Sequence, residues 1–305
     1  MNDILHAIGN TPVVQLRKVT PPDAAEVFVK LEYFNPTGSY KDRMALAMIE
    51  GAEQRGALRP GMQVVEYTGG STGSSLAMVC AVKGYAFTAV TSDAFAKEKL
   101  QAMRAFGAQL RIIASDDGKL TPQLFQEMIA EAQRLGAQPA TYYTDQFNNG
   151  EAIKGYRAIG RELVQQLEGR IDVFCAGAGT GGMIAGTAQA LKAAGCQARI
   201  VALEPASSPV LTTGRGGAHR VEGLAPGFVP PHMKDWNYEA RAVEESEGRA
   251  MARRLAATEG ILAGTSTGLN VVAALQLARE LGPGHRVATV AVDTGLKYLA
   301  GDLFA

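Results

Sequence analysis

Val173-Phe174-Cys175-Ala176-Gly177-Ala178-Gly179-Thr180-Gly181-Gly182-Met183 joins an apolar run to a glycine-rich turn and the start of a small-residue helix. The apolar run Ile171–Ala176 predicts a buried strand, and the small apolar residues from Met183 to Ala194 predict a helix. Glycines pack the turn between them. A strand that passes through such a turn into a helix is half of a parallel βαβ unit. The next apolar run, Ile200–Leu203, supplies the second strand.

Outward from this unit the alternation repeats. Strands are expected at Glu26–Leu31, Gln63–Tyr67, Phe87–Thr91, Leu110–Ala114 and Arg286–Val292. Helices are expected at Lys41–Arg55, Ser74–Lys83, Lys97–Phe106, Gln123–Leu135, Glu151–Leu167, Gly248–Ala257 and Asn270–Leu281. Strands alternating with helices of this length predict an α/β protein with parallel sheets. At 305 residues the chain is long enough for two domains, and a Pro and paired Asn interrupt the pattern near Gln138–Asn149. The Gly- and Pro-rich segment Ser207–Pro231 reads as a long functional loop.

Lys and Arg total 30, as do Asp and Glu, so no bulk charge draws the chain toward nucleic acid or anionic lipid. Val173–Leu191 and Gly260–Ala278 are uncharged, but the glycines and hydroxyls in their first halves argue against membrane spans. The opening Met1–His6 lacks the pattern of a signal peptide. Cys80, Cys175 and Cys196 have no pairing pattern, and the four histidines form no metal-ligand spacing. The expectations are therefore a cytoplasmic location, no nucleic-acid or membrane partner, and no metal.

The strand–turn–helix device occurs three times. Val64–Gly73 leads into the Ser74 helix, Val173–Gly182 into the Met183 helix, and Ile261–Gly268 into the Leu269 helix. Each presents backbone N–H groups and hydroxyls at a helix N-terminus, where an anion is favoured. Gly177-x-Gly179-x-x-Gly182, with Glu204 closing the next strand, also has dinucleotide-fingerprint spacing. A nicotinamide or flavin oxidoreductase thus remains open on spacing alone. Asn35-Pro36-Thr37-Gly38-Ser39-Tyr40-Lys41-Asp42-Arg43 places an amine at the start of a helix, an unfavourable place for an ammonium. Lys41 is then either solvated and paired with Asp42, or a lysine of lowered pKa able to form an imine.

Asn35–Arg43 resembles the Schiff-base lysine motif of the cysteine synthase/cystathionine β-synthase family, pyridoxal-phosphate enzymes of fold type II. Ile8–Leu16 is similar to that family's N-terminus, Thr68–Gly73 to its substrate-carboxylate loop and Gln146-Phe147 to a second substrate element. Gly179–Met183 resembles its phosphate loop, Gly223–Pro230 its cofactor-cleft segment, Gly264–Gly268 its pyridine-nitrogen segment and Asp293–Leu299 its closing motif. The order is kept over nearly the whole chain.

The resemblance implies two three-layer α/β domains with mostly parallel twisted sheets, like the tryptophan synthase β chain, and an active site in the cleft between them. Residues 1–35 with 147–305 would form the large cofactor domain, and 36–146 the smaller mobile substrate domain. It implies pyridoxal 5′-phosphate joined to Lys41 as an internal aldimine, its phosphate on Gly179, Thr180, Gly181, Gly182 and Met183. Ser266, or next to it Thr267, would meet the pyridine nitrogen, with Ser71 near the ring. Thr68, Gly69, Gly70, Ser71, Thr72 and Gln146 would bind the substrate. The implied reaction is β-replacement on a β-substituted L-serine through an aminoacrylate. The form it implies first is cysteine synthesis from O-acetyl-L-serine and sulfide by a homodimer, with neither a haem-binding extension nor a regulatory module. Cystathionine or diaminopropionate synthesis, O-phosphoserine-dependent cysteine synthesis and dehydratase chemistry are alternatives.

Three residues depart from the family pattern. Gly69 stands where Ser is usual, Ser71 where Asn is usual, and Met183 where a phosphate-binding Thr is usual. The first two predict a roomier substrate pocket. Arg215 and Arg220 are read as a solvated basic turn and His219 as a surface residue, with an O-phosphoserine site as the other reading.

Overall fold

The computed structural model describes residues 3–118, 121–234 and 236–305. Met1 and Asn2 of the N-terminal stretch read above lie outside them. In chain order the elements begin with β1 (Val13–Leu16), β2 (Glu26–Leu31), α1 (Lys41–Gln54), β3 (Gln63–Tyr67), α2 (Ser71–Lys83) and β4 (Ala86–Ser92). They continue with α3 (Lys97–Ala105), β5 (Gln109–Ile113), α4 (Pro122–Gly136), β6 (Thr141–Tyr143), α5 (Gly150–Gln166), β7 (Val173–Gly177) and α6 (Gly182–Ala193). The last are β8 (Arg199–Pro205), the single turn α7 (Val210–Thr213), β9 (Glu239–Val243), α8 (Glu245–Glu259), α9 (Thr265–Leu281) and β10 (Arg286–Ala291).

The chain divides into two compact units. One joins the N-terminal residues through Ile8 to Lys41–Gly155, and the other joins Gly9–Tyr40 to Tyr156–Ala305. The first contains a four-stranded sheet of order β5-β4-β3-β6. All its pairings are parallel, with Gln63 opposite Ala86 and Val65 opposite Tyr143. Its core beside α4 joins Val65, Tyr67 and Val90 to Leu124, Met128 and Ala132.

The second unit contains a six-stranded sheet of order β1-β2-β10-β7-β8-β9. Only β1 runs antiparallel, Val13 pairing with Lys30. β7 is buried at every residue, as expected of a central parallel strand that reads as a continuous apolar run. The architecture is the expected α/β fold with two mostly parallel sheets.

Three strands lay outside the expectation: β1, β6 and β9, each at a sheet edge. None is a continuous apolar run. In β9 (EARAV), Arg241 bonds Glu239 within the strand and Glu280 from α9, charged dressing that suits an edge. α2 begins at Ser71, not Ser74, and α9 at Thr265, not Asn270. The third device therefore changes character. Ile261–Ala263 is not a strand, Ala263 forming only an isolated bridge to Thr294, and Ser266 and Thr267 lie in the first helical turn. Gly268 serves packing, since a Cβ there would overlap the carbonyl oxygen of Gly248 on α8. Among the described residues no helix is long and apolar enough to cross a membrane, and no cluster of His, Cys, Asp or Glu could hold a metal ion.

Candidate active site

In the first unit the expected substrate residues gather at the C-terminal ends of β3 and β6, the end where parallel sheets bind ligands. The Thr68 hydroxyl accepts from the N–H groups of Gly70 (3.2 Å) and Gly73 (3.1 Å), which fixes the turn before α2. Thr72 donates its hydroxyl to Gln146 Oε1 at 2.9 Å. Gln146 Nε2 donates to the Tyr67 carbonyl at 3.2 Å, so both chain segments are tied into one surface. Ser71 opens α2, and Lys99, 5% exposed, runs alongside Gly70.

Glu66 holds that surface from below. Its carboxyl accepts from the Thr144 hydroxyl (2.5 Å), the Gln146 N–H (3.1 Å) and the Tyr67 N–H (3.1 Å). Burial raises it to about 8 despite these donors. Lys41, the first residue of α1, is buried, which excludes the solvated reading. Burial lowers its amine to about 8, with Glu66 near enough to pull the other way. A substantial neutral fraction near physiological pH follows, which is what an amine needs in order to attack a carbonyl or take a proton.

In the second unit the glycine turn after β7 leads into α6, whose first N–H groups have no carbonyl of their own helix to bond. Gly181 sits at φ 80°, a left-handed conformation that favours glycine. At Gly179 a Cβ would overlap the carbonyl oxygen of Gly223, so the segment Gly223–Pro230 lies directly on the turn. Thr180 adds a largely buried hydroxyl, and Met183 packs as an apolar residue with its sulfur 3.7 Å from the Thr187 hydroxyl.

Asn270 on α9 accepts from the Gly177 N–H at 2.8 Å and donates to the Val290 carbonyl at 3.0 Å. It thereby ties α9 to the end of β7 and to β10. In the first turn of α9 the Thr267 hydroxyl accepts from the Val292 N–H at 3.0 Å, and Ser266 beside it is buried. The closing motif braces the same region. Asp293 accepts from the Tyr298 hydroxyl at 2.8 Å, Tyr40 N–H donates to the Val292 carbonyl, and Thr294 N–H to that of Gly38. The residues just before Lys41 are thus pinned to this sheet.

A family model described as pyridoxal-phosphate dependent enzyme matches residues 4–293. The chain belongs to that family. It is 42% identical over 310 residues to a cysteine synthase of Staphylococcus aureus (strain Mu50 / ATCC 700699), covering 100% of this chain and 97% of the relative. A crystal structure of O-ureido-L-serine synthase superposes with a TM-score of 0.92 at 37% identity, covering 100% of this chain and 95% of that one. A hydrogen sulfide-producing enzyme, solved as a variant complexed with an α-aminoacrylate intermediate, is similar at a TM-score of 0.90 and 33% identity, over 98% of this chain and 90% of that one.

The protein is therefore a pyridoxal-phosphate-dependent enzyme of the cysteine synthase type. Its residues fit the group: a buried lysine of depressed basicity, and a glycine turn at a helix N-terminus suited to a phosphate monoester. The dinucleotide reading of that turn is displaced. Glu204, the acid it needs for a ribose, accepts from the N–H groups of Leu211 (2.6 Å) and Thr212 (2.9 Å) and from the Thr212 hydroxyl, capping α7.

Other expectations are corrected. The space left by Gly69 is not open: a Cβ there would overlap the ring of Phe95. His219 is half-buried and braces its loop, Nε2 lying 3.0 Å from the Ala225 carbonyl and Nδ1 accepting from the Val221 N–H. Arg215 and Arg220 are exposed, as the solvated-turn reading expects, with Arg220 3.9 Å from Asp302. Sequence reasoning missed Glu66, Asn270 and Phe95, whose partners lie far along the chain. The local signal was an acid one residue before the end of a predicted strand that leads into the Thr68 turn.

Proposed function

We propose that this chain, as a homodimer, makes L-cysteine from O-acetyl-L-serine and sulfide. The observation that carries the reading is the buried Lys41 amine, held near Glu66 in the unit that also carries the Thr68–Gln146 surface. In this reading the smaller unit binds the amino acid and the larger one binds the cofactor's phosphate and ring nitrogen. Pyridoxal phosphate, when bound, supplies the aldehyde that joins an amine and the conjugated ring that draws electrons from the substrate's α-carbon.

This chain's own residues do the rest. Gly179, Thr180, Gly181 and Gly182 take the phosphate at the α6 N-terminus, and Ser266 faces the ring nitrogen. A hydroxyl there does not enforce a protonated ring, which suits elimination of a β-leaving group better than long-lived carbanion chemistry. Thr68, Gly69, Gly70, Ser71 and Thr72 receive the substrate carboxylate, with Gln146 holding the second side. Lys41 Nζ would remove the α-proton, and the burial that lowers its basicity keeps part of it neutral near pH 7. The full-length likeness to a cysteine synthase supports sulfide as the nucleophile. The likeness to O-ureido-L-serine synthase supports the same reaction type with another nucleophile as the second reading.

The test is a borohydride-trapped mass map followed by a spectral screen. The adduct is expected on the Lys41 peptide, and Lys41→Ala is expected to lose it together with about 10³-fold or more of activity. O-acetyl-L-serine with sulfide is expected to yield cysteine at a higher kcat/KM than O-phospho-L-serine does. An adduct elsewhere, or preference for a different donor, overturns the corresponding part.

A further inference from the structure

We propose that Phe95 determines how large a group the substrate loop accepts, by occupying the space of a side chain at position 69. The inference deepens the β-replacement reading and rests on it. A Cβ built on Gly69 would overlap Cε1, Cζ and Cδ1 of Phe95, so ring and backbone are in direct contact.

The ring is not a flexible tip able to swing away freely. It packs on the cluster of Val65, Tyr67, Val90, Leu124, Met128 and Ala132, and meets Phe125 edge-on at 6.4 Å between centroids. Its backbone is held as well. Phe95 N–H donates to the Ser92 carbonyl, Ala94 N–H to the Ser92 hydroxyl, and the neighbouring Asp93 accepts from the Ser115 N–H at 2.8 Å. The turn between β4 and α3 thus delivers an aromatic wall to the middle of a loop whose only polar side chains are the hydroxyls of Thr68, Ser71 and Thr72.

Phe95 is only half-buried, so the residue that abuts Gly69 is not sealed inside the cluster. A substrate lying on Thr68, Ser71 and Thr72 lies against that ring. The wall offers no hydrogen-bond donor and fixes the width of the loop. A compact nucleophile such as sulfide passes it, whereas a bulky thiol meets the ring. The loss of a side chain at Gly69 therefore does not widen the pocket, because the residue that fills the gap comes from another turn.

The test uses holoprotein of the native chain, Phe95→Ala, Gly69→Ser and the double variant. O-acetyl-L-serine is the donor, with sulfide or benzenethiolate as nucleophile. Phe95→Ala is expected to raise the benzenethiolate-to-sulfide ratio of kcat/KM by about tenfold or more. Gly69→Ser is expected to lower both rates and the melting temperature, and Phe95→Ala in that background to restore both. A ratio within about twofold of the native one, or Gly69→Ser tolerated beside an intact Phe95, overturns the inference. Absence of turnover by cofactor-loaded native protein overturns the β-replacement reading and the size selection built on it. The melting cycle, which needs no turnover, then decides whether ring and loop act as one unit.

Discussion

The turns after β3 and β7 are the same device in the two units, and they are finished differently. After β7 backbone N–H groups line the turn, braced from behind by the Asn270 side chain, and the acid of the neighbouring strand, Glu204, caps a short helix. After β3 side chains do the work. Thr68 closes the turn, Thr72 grips Gln146, Phe95 fills the gap at Gly69, and Glu66 sits beneath as a buried acid. A backbone cradle suits a constant anion, since N–H groups are the same whatever the sequence. A side-chain surface suits a ligand that must be distinguished from its relatives.

The largest expected effect tests the more rigid of the two turns. Asn270 is fully buried and bonds both the Gly177 N–H and the Val290 carbonyl. Asn270→Ala leaves both without that partner in a dry core. A loss of about 3 kcal/mol is expected, with a fall in Tm of roughly 6–10 °C. Cofactor affinity should fall with it, read as the phosphate concentration that protects the apoprotein. If Tm moves by less than about 2 °C, the staple is not what holds the β7 turn.

The second prediction separates Glu66 from Lys41 by pH. Glu66 is raised from 4.5 to about 8 by burial, so between those values the folded chain binds more protons than the unfolded one. Its contribution to stability is therefore full below about pH 4.5 and falls as pH rises toward 8. Lys41 acts in a different window. Its amine is lowered from 10.5 to about 8, so stability gained from its neutral form grows as pH rises between those values. Glu66→Gln should remove the lower slope and leave the upper one, a difference of about 1–3 kcal/mol at pH 8 in urea melts of apoprotein. Parallel curves for the two proteins would show that Glu66 titrates normally.

How much of this was legible in the sequence follows from how far each residue reaches. The central strands were visible because β7 and β10 are buried runs that need no partner to be recognised. The edge strands β1, β6 and β9 were not, because half-exposed strands of mixed composition resemble loops. Lys41 was visible through its motif, although its local context alone favoured a solvated lysine paired with Asp42. Its burial is a property of the fold. Glu66, Asn270 and Phe95 were invisible for one shared reason. Glu66 meets Thr144 from 78 residues away, Asn270 meets Gly177 from 93, and Phe95 meets Gly69 from another turn. Nothing in a local window reports such contacts, whereas Thr68 and Thr72 lie inside the turn they shape.

The smallest expected effect lies on the same small unit, away from its turn. Glu131 on α4 is bonded by Arg134 at 2.7 Å and Arg111 at 3.0 Å, and these partners hold its carboxyl down at about 2. A carboxylate depressed in the folded state contributes stability above its unfolded value near 4.5, and loses it as pH falls toward 2. Both arginines are 59% exposed, so solvent screens most of the attraction. Arg134→Ala is therefore expected to cost only about 0.5 kcal/mol at pH 7 and nothing measurable near pH 2. The cost should shrink further in 1 M salt, where the Debye length is about 3 Å. Glu66→Gln should keep its effect under the same salt, because buried groups are poorly screened. Equal salt sensitivity of the two variants would mean that the Thr68 turn is wetter than its geometry implies, and that its side chains select ligands less sharply than the comparison with the β7 turn requires.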